Sequence, residues 1–204
     1  MKHLLCTLIA FLTLVPTTLR AEGNVIIFLH NAWFETNKDG KAHTKFGAYD
    51  FEGIKQALAK GGKVIAPKRG PDADPETEAT AVTKQIEDLL ASGQPPDSIK
   101  VIGASKGAFI AQIASAKLKN PKVRWVLVGG CSAARKDQDS TPKMTGHVLS
   151  IHDVTDTVAS FCARNLTLTG GAEIFKEVII STGKNHGFQF IPDEAWINPA
   201  LAWK

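Results

Sequence analysis

The sequence lacks the residue patterns with which proteins commonly hold metal ions or nucleotides. Its histidine, aspartate and cysteine residues form neither a His-Glu-x-x-His motif nor paired Cys-x-x-Cys motifs, the spacings typical of zinc sites. It also has no phosphate-binding loop and no Gly-x-Gly-x-x-Gly fingerprint for a dinucleotide. We therefore expect no metal site and no cofactor. Internal repeats and low-complexity segments are absent as well.

Long apolar runs are also missing, except for a short one near the N-terminus. A short basic start precedes an apolar stretch at residues 4–15, and a polar exit follows it. The run is too short to span a membrane, and this order is typical of a secretory signal peptide. We predict that residues 1–21 are removed on export. Residues 22–204 would then form one domain, periplasmic or secreted and without stable membrane insertion. The alternative is a retained N-terminal anchor.

The exported domain has no large excess of charge of either sign. The full chain has 24 Lys and Arg residues against 20 Asp and Glu residues, and Lys2 and Arg20 leave with the signal peptide. The remaining 22 basic and 20 acidic residues make the domain nearly neutral. No basic patch suggests nucleic acid, so we expect no nucleic-acid partner.

Cysteine is scarce, with three residues in the whole chain. Cys6 lies in the apolar run that is predicted to be removed, which leaves Cys131 and Cys162. An exported protein meets an oxidising compartment, and an even number of cysteines there is consistent with a disulfide. Both residues follow predicted strands at the same edge of the sheet. We consider a Cys131–Cys162 disulfide and two buried thiols as alternatives.

Six short strand patterns alternate with helical patterns along the chain. The strands are predicted at residues 24–29, 63–66, 98–102, 123–128, 147–151 and 178–181. Helices are predicted at residues 49–60, from Pro75 to a stop at Gly93, after Ser105, at 157–165 and within 192–203. Such alternation predicts an α/β domain whose mostly parallel sheet is covered by helices on both faces. The functional site is then expected at the carboxyl ends of the strands.

The strongest functional motif is the stretch from Gly103 to Gly107, which has the pattern Gly-x-Ser-x-Gly around Ser105. A buried strand precedes it and an alanine-rich helical segment follows it. A serine on such a sharp strand-to-helix turn is exposed for nucleophilic attack, and small residues on either side let strand and helix pass closely. The alternative is an ordinary turn in which Ser105 caps the helix.

With this context, the chain resembles a small α/β-hydrolase, and the likeness covers nearly all of the mature sequence. Three stretches carry it in the family's order of nucleophile, acid and histidine: residues 103–107, 148–158 and 182–188. The resemblance implies a single-domain, three-layer α/β-hydrolase fold, without a large lid. It also implies a catalytic triad of Ser105, Asp156 and His186.

The acid of the triad has two candidates in one loop. By the resemblance, Asp156 matches the family's aspartate, and Asp153 stands where the family usually has glycine. We favour Asp156, although it could also serve as a helix N-cap for the residues that follow.

The resemblance assigns the two backbone donors of an oxyanion hole to the amides of Ala32 and Lys106. The first donor follows a His30-Asn31 pair in which asparagine replaces the family's glycine. A cation such as the Lys106 side chain in the first turn of a helix interacts unfavourably with the helix dipole, at a cost of about 0.3–1 kcal/mol. This side chain is expected either to point to solvent or to attract a substrate carboxylate.

Aromatic residues lie on loops expected near the site and could line a substrate pocket. The candidates are Trp33, Phe34 and Phe188, with Phe46 and Phe190 beside them. Packing of these rings onto the core is the alternative.

Taken with the resemblance, these residues predict an exported serine hydrolase that cleaves an ester or thioester through an acyl-enzyme on Ser105. Its partner would be a small acyl substrate. Two alternatives remain: an acyltransferase with the same triad, and a non-catalytic binding member of the fold. The first half-reaction is common to hydrolysis and transfer, so the sequence does not separate them.

Overall fold

The central feature of the molecule is a six-stranded parallel sheet. The computed structural model describes residues 23–132, 142–163 and 171–204. Within them the sheet strands are β1 Val25–Leu29, β2 Lys63–Ile65, β3 Ile99–Ala104, β4 Arg124–Val128, β6 His147–Asp153 and β8 Ile174–Ile180. The strand order is β2-β1-β3-β4-β6-β8, and every neighbouring pair is parallel. The expected α/β class and six-stranded sheet are confirmed, although the last strand begins at Ile174, four residues before the predicted start at 178.

Two further short strands, β5 Cys131–Ser132 and β7 Ala159–Ser160, form a separate antiparallel pair. This pair lies just beyond the ends of β4 and β6. The prediction of a helix at 157–165 is wrong over Ala159–Ser160, because this stretch pairs with the chain that leaves β4. Residues 164 and 165 lie outside the described ranges.

Helices cover both faces of the sheet. They are α1 Trp33–Thr36, α2 Phe51–Leu58, α3 Pro75–Ala91, α4 Lys106–Leu118 and α5 Glu194–Ala202, with 3-10 turns at Ala59–Gly61, Pro96–Ser98 and Asn185–Phe190. The α3 and α4 side chains pack in one apolar cluster with Val101 of β3. The α2 and α5 side chains pack in a second cluster with Ile102. Successive strand residues point to opposite faces, so this alternation produces three layers.

Local signals account for the starts of several helices. The Asp74 carboxylate accepts a hydrogen bond from the amide of Thr77 at 2.8 Å, and Pro75 occupies the first helical position, as predicted. Asp50 caps α2 by accepting from the amide of Gly53 at 2.8 Å. Asp193 caps α5 in the same manner, so the closing helix begins at Glu194.

The predicted signal peptide, residues 1–21, lies outside the described ranges. Across the ranges that are described, no helix is both long and apolar enough to cross a membrane.

A disulfide joins Cys131 to Cys162, and both residues are buried. It ties the first residue of β5 to the segment that follows β7. The two cysteines are 31 residues apart in the sequence. A cross-link over such a loop restricts the unfolded chain more than the folded one.

We therefore expect the double variant Cys131→Ala/Cys162→Ala to lose about 3–4 kcal/mol of unfolding free energy, the value that loop-closure entropy gives for this separation. Denaturant unfolding of the mature protein under oxidising conditions would measure it. The parent protein in a thiol reductant serves as the control and should unfold at the same denaturant concentration as the variant. Equal unfolding midpoints for the oxidised and the reduced parent would contradict this expectation.

Candidate active site

Ser105 stands on the sharp turn between β3 and α4. Its backbone angles are φ 51° and ψ −115°, a conformation that residues with a Cβ atom rarely adopt. The amide of Ser105 donates to the carbonyl of Val128 at 2.9 Å, and its carbonyl accepts from the amide of Ala108 at 2.9 Å. A strained conformation costs on the order of 1–3 kcal/mol and persists only when surrounding contacts hold it. Here the neighbouring strand and the first helical turn supply those contacts.

The two glycines of the motif are required by packing. A Cβ atom on Gly107 would lie 2.0 Å from the carbonyl oxygen of Leu29, at the end of β1. A Cβ atom on Gly103 would lie 2.4 Å from the carbonyl oxygen of Gly107. Both distances are shorter than any real contact, so only glycine lets α4 begin this close to the sheet.

A chain of two hydrogen bonds connects Ser105, His186 and Asp156. The Nε2 atom of His186 lies 2.9 Å from Ser105 Oγ, and its Nδ1 atom lies 2.7 Å from Asp156 Oδ2. The side chains of His186 and Asp156 are buried. The structure thus brings together the three residues that the sequence predicted as a triad.

Asp156 has the surroundings of a carboxylate that stays ionised. Burial alone would raise its pKa, but hydrogen bonds from His186 and from the amides of Ala159 and Val158 outweigh burial and lower the pKa. The two amides donate to Oδ1 at 3.0 and 2.8 Å, which leaves Oδ2 for the imidazole. Asp156 therefore also caps the turn that follows it.

Asp153, the other candidate acid, is occupied elsewhere. Its Oδ1 accepts from the amide and hydroxyl of Thr155 at 2.8 and 2.6 Å. Its Oδ2 accepts from the amide and hydroxyl of Thr182 at 2.8 and 2.5 Å. Burial acts to raise the pKa of Asp153, and these threonine hydrogen bonds reverse that effect and lower it. Asp153 thus links the end of β6 to the end of β8.

The acid loop and the histidine loop are joined by further hydrogen bonds. The amide of Asn185 donates to Thr155 Oγ1 at 3.0 Å. The Asn185 side-chain oxygen accepts from the amide of Thr157 at 3.2 Å and from the amide of His186 at 2.7 Å. Asn185 itself adopts a left-handed φ of 52°. These contacts set the position of the imidazole relative to Asp156.

Two residues next to the His186 imidazole were not identified from the sequence. Gln189 is fully buried, and its Nε2 lies 2.9 Å from His186 Nε2, the atom that also faces Ser105. Gly129 follows β4 at a φ of 55°, and a Cβ atom there would lie 3.3 Å from His186 and 3.4 Å from Asp156. The spacing of Gln189, three residues after His186 in a helical turn, is the signal that could have revealed it.

Ala32 and Lys106, the predicted oxyanion donors, each lie at the start of a helix. Lys106 is the first residue of α4, so its amide has no acceptor within that helix. Ala32 directly precedes α1. Asn31, which stands in place of the family's glycine, accepts from the amide of Phe34 at 3.1 Å through its side-chain oxygen. The asparagine thus supports the start of α1.

An open cavity of about 310 Å³ leads to Ser105 and His186. Aromatic and small side chains form most of its wall. Besides Ser105 and His186, the cavity is lined by Asn31, Ala32, Trp33, Thr36, His43, Phe46, Val158, Gln189 and Phe190. A tight turn, in which His43 and Gly47 exchange two backbone hydrogen bonds, carries Phe46 to the mouth of the site. The Phe46 ring lies 5.9 Å from the His186 ring.

The aromatic residues predicted to line a pocket divide into two groups. Trp33 lines the cavity, as do Phe46 and Phe190. Phe34 and Phe188 do not, because both are buried in the apolar cluster beneath the site. The Phe34 ring stacks on the Phe51 ring at 4.5 Å. For these two residues, packing onto the core was the correct alternative.

The Lys106 side chain was expected either to point to solvent or to attract a substrate carboxylate, and it instead pairs with a carboxylate of the protein. Its Nζ atom lies 2.7 Å from Glu35 Oε2, and Glu35 Oε1 accepts from Arg69 Nε at 3.0 Å. The side chains of Glu35 and Arg69 are 4% and 1% exposed, against 22% for Lys106. Two cations thus share one buried carboxylate directly behind the elbow.

His30 is part of the same cluster and is neutral. Its Nε2 accepts from the amide of Arg69 at 2.9 Å, so Nδ1 carries the proton and donates to the carbonyl of Asn31 at 2.8 Å. Burial, and then the charge of Arg69, lower the pKa of His30 to about 3. This imidazole therefore supports the turn after β1 rather than acting as a base.

Among the described residues, no group of three or more His, Cys, Asp or Glu side chains is arranged to hold a metal ion.

The lowered pKa of His30 makes a contribution to stability that depends on pH. Between about pH 6.5 and pH 3 the unfolded imidazole binds a proton and the folded one does not, so acid favours unfolding in this window. The stability difference between the parent and His30→Gln should therefore shrink as the pH falls from 7 towards about 4. Denaturant unfolding at a series of pH values would measure it.

The variant without the disulfide is the control, since its loss of stability involves no group that titrates in this window. A difference between parent and His30→Gln that stayed constant from neutral to acid pH would show that His30 is not held neutral.

Comparison with known proteins identifies the fold. No protein-family model matches the sequence, and no curated protein does either. An esterase from Rhizomucor miehei matches with a TM-score of 0.59 and 17% identity, over 92% of this chain and 75% of that one. A protein described as a CIB-like hydrolase from Thermoplasma acidophilum matches with a TM-score of 0.56 and 15% identity, over 92% and 87%. A protein described as a hydrolase of the α/β superfamily from Xanthomonas campestris pv. campestris has a TM-score of 0.56 and 15% identity, over 88% and 94%. The fold of this chain is therefore that of the α/β-hydrolases.

Proposed function

We propose that this protein is an exported serine hydrolase, which cleaves an ester or thioester through an acyl-enzyme on Ser105. The observation that carries the proposal is the hydrogen-bonded chain from Ser105 Oγ to His186 Nε2 at 2.9 Å, and from His186 Nδ1 to Asp156 at 2.7 Å. It combines a nucleophile, a base and an orienting carboxylate at the mouth of one cavity.

In the first half-reaction, Ser105 Oγ bonds to the acyl carbon and its proton passes to His186 Nε2. Asp156 holds Nδ1–H and stabilises the imidazolium that forms. The carbonyl oxygen becomes negative, and the amides of Ala32 and Lys106 donate to it. The tetrahedral centre then collapses. The leaving alcohol or thiol takes the proton from His186, and the acyl group stays on Ser105.

In the second half-reaction, water takes the place of the leaving group. His186 Nε2 accepts a proton from the water as its oxygen bonds to the acyl carbon. When this second tetrahedral centre collapses, Ser105 Oγ leaves and takes that proton back. The free acid is released and the resting state is restored.

The cavity favours a small acyl ester over a large one. A volume of about 310 Å³ is at the lower end of the usual range for ligand sites, and its wall includes the rings of Trp33, Phe46 and Phe190. Such a wall suits a short apolar acyl group.

Export forms part of the proposal because of the N-terminal segment and the disulfide. The order of basic start, apolar run and polar exit in residues 1–21 is typical of a signal peptide. A buried bridge between Cys131 and Cys162 is stable in the oxidising conditions outside the cytoplasm.

The mature protein is expected to react with a fluorophosphonate and to form one adduct, on Ser105. This reagent requires an activated serine, so Ser105→Ala should give no adduct and His186→Ala a rate lower by at least about 10³-fold. Intact mass and peptide mapping would locate the label. Ser160, a serine of β7 away from the cavity lining, provides the matched control, and Ser160→Ala should be labelled at the parent rate.

Absence of an adduct on the folded parent, or equal hydrolysis of model esters by the parent and Ser105→Ala, would contradict the serine mechanism and favour a binding role. Product analysis with an added alcohol distinguishes transfer from hydrolysis. A transferase would give mainly the new ester, and the proposed hydrolase mainly the free acid.

Trp33 is expected to limit the length of the acyl group. Replacing Trp33 with alanine enlarges the cavity, so kcat/KM for a long-chain p-nitrophenyl ester should rise relative to the acetate by about 10-fold, as expected for a few added methylene contacts. Kinetics over a series from acetate to decanoate would measure this. An unchanged profile would show that the acyl chain binds away from Trp33.

A further inference from the structure

A buried ion cluster joins the two segments that present the proposed oxyanion donors. Glu35 belongs to α1, which begins directly after Ala32, and its own amide donates to the carbonyl of Ala32 at 3.1 Å. Its carboxylate lies 2.7 Å from Lys106 Nζ. Lys106 directly follows Ser105 and carries the other proposed donor. One side chain therefore connects the starts of two different helices, the one that follows Ala32 and the one that begins at Lys106.

Arg69 attaches this link to the sheet. Its Nε donates to Glu35 at 3.0 Å, its amide donates to His30 Nε2 at 2.9 Å, and its Nη2 donates to the carbonyl of His30. His30 is the first residue after β1 and is fully buried. The segment that contains Ala32 is therefore held on one side by the end of β1 and on the other by the elbow.

The stability of the fold alone does not explain this cluster. Taking three charged groups out of water costs several kcal/mol each, which their mutual attraction only partly returns, and apolar side chains of similar volume often serve as well. Lys106 also stands in the first turn of α4, where the helix dipole disfavours a cation. What the cluster provides that apolar packing does not is a directional link of fixed length between two main-chain segments.

We propose that Glu35 is a positioning residue, which fixes the spacing of the Ala32 and Lys106 amides through its ion pair with the Lys106 side chain. This inference rests on the proposed serine mechanism. Hydrogen bonds from the two amides strengthen as negative charge develops on the substrate oxygen. Loss of the correct spacing should therefore lower kcat and leave KM nearly unchanged.

The experiment compares Glu35→Gln and Lys106→Met with the parent in the steady-state hydrolysis of p-nitrophenyl acetate. Removing a whole oxyanion donor costs about 10²–10³ in kcat, so displacement of one should cost at least about 10-fold in each variant. Lys106→Arg keeps a cation and its donors within reach of Glu35, and should recover most of kcat. Inhibition by a trifluoromethyl ketone, whose adduct with serine carries an oxyanion, should weaken in parallel with kcat.

The pair of single variants separates positioning from a direct effect of charge. If Lys106 acted only as a cation near the oxyanion, Glu35→Gln would free that cation and raise kcat, while Lys106→Met would lower it. Positioning predicts that both lower kcat. It also predicts that the double variant loses no more than either single one, because both substitutions remove the same link.

The matched control is Lys84→Met, which breaks the exposed ion pair between Lys84 and Asp88 at 2.9 Å on α3. It should leave kcat, KM and inhibition at parent values. Thermal unfolding of each variant shows whether it folds. If Glu35→Gln is unfolded, Lys106→Met decides the question, because the Lys106 side chain is partly exposed.

A folded Lys106→Met with parent kcat would overturn the inference, and so would a rise in KM alone. In either case Ser105-dependent turnover by the parent would still stand, so the serine mechanism would survive. If the parent showed no turnover that depends on Ser105, the proposed function and this inference would both fall.

Discussion

The site depends on how closely α4 begins against the sheet. Gly107 places the first turn of this helix against the last carbonyl of β1, where a Cβ atom would lie 2.0 Å from the oxygen of Leu29. The amide of Lys106, the first residue of α4, has no acceptor within the helix. The close approach of α4 also forces Ser105 into a positive φ and exposes its hydroxyl at the carboxyl edge. In a parallel sheet this edge also receives the loops after β4, β6 and β8.

The base and its carboxylate are held by contacts that do not themselves take part in the proposed chemistry. Asp153 joins the ends of β6 and β8 through Thr155 and Thr182, and Asn185 joins the same two loops next to His186. These hydrogen bonds bring the loops together whatever the state of the imidazole. The distance of 2.7 Å between His186 Nδ1 and Asp156 Oδ2 then follows from how the two loops are joined. We expect a substitution of any of these polar side chains to displace the imidazole.

The opposite side of the site is held by charge. Arg69, Glu35 and Lys106 come from three different segments and meet in a region with little access to solvent. Hydrophobic contact is non-directional, whereas a charge-assisted hydrogen bond has a defined length and direction. The side with Asp156 and His186 therefore uses hydrogen bonds between loops, and the side with the proposed oxyanion donors uses two ion pairs of Glu35 that join the loop after β2 to α1 and α4.

The sequence by itself determined the local features of this protein. The strand patterns of the sheet, the Asp74-Pro75 helix start and the Gly-x-Ser-x-Gly turn each depend on neighbouring residues, so these features were predicted from the sequence. Resemblance to the family then pointed to Asp156 and His186 as partners of Ser105.

Tertiary structure alone decided the rest. Glu35 contacts residues 34 and 71 positions away in the sequence, so no local pattern could reveal its ion pairs. Phe34 and Phe188 are apolar like Trp33, and only the packing of the layers decides which of these rings reach the cavity. The strand at Ala159–Ser160 forms because the chain leaving β4 is beside it, a long-range pairing that overrides local helical preference.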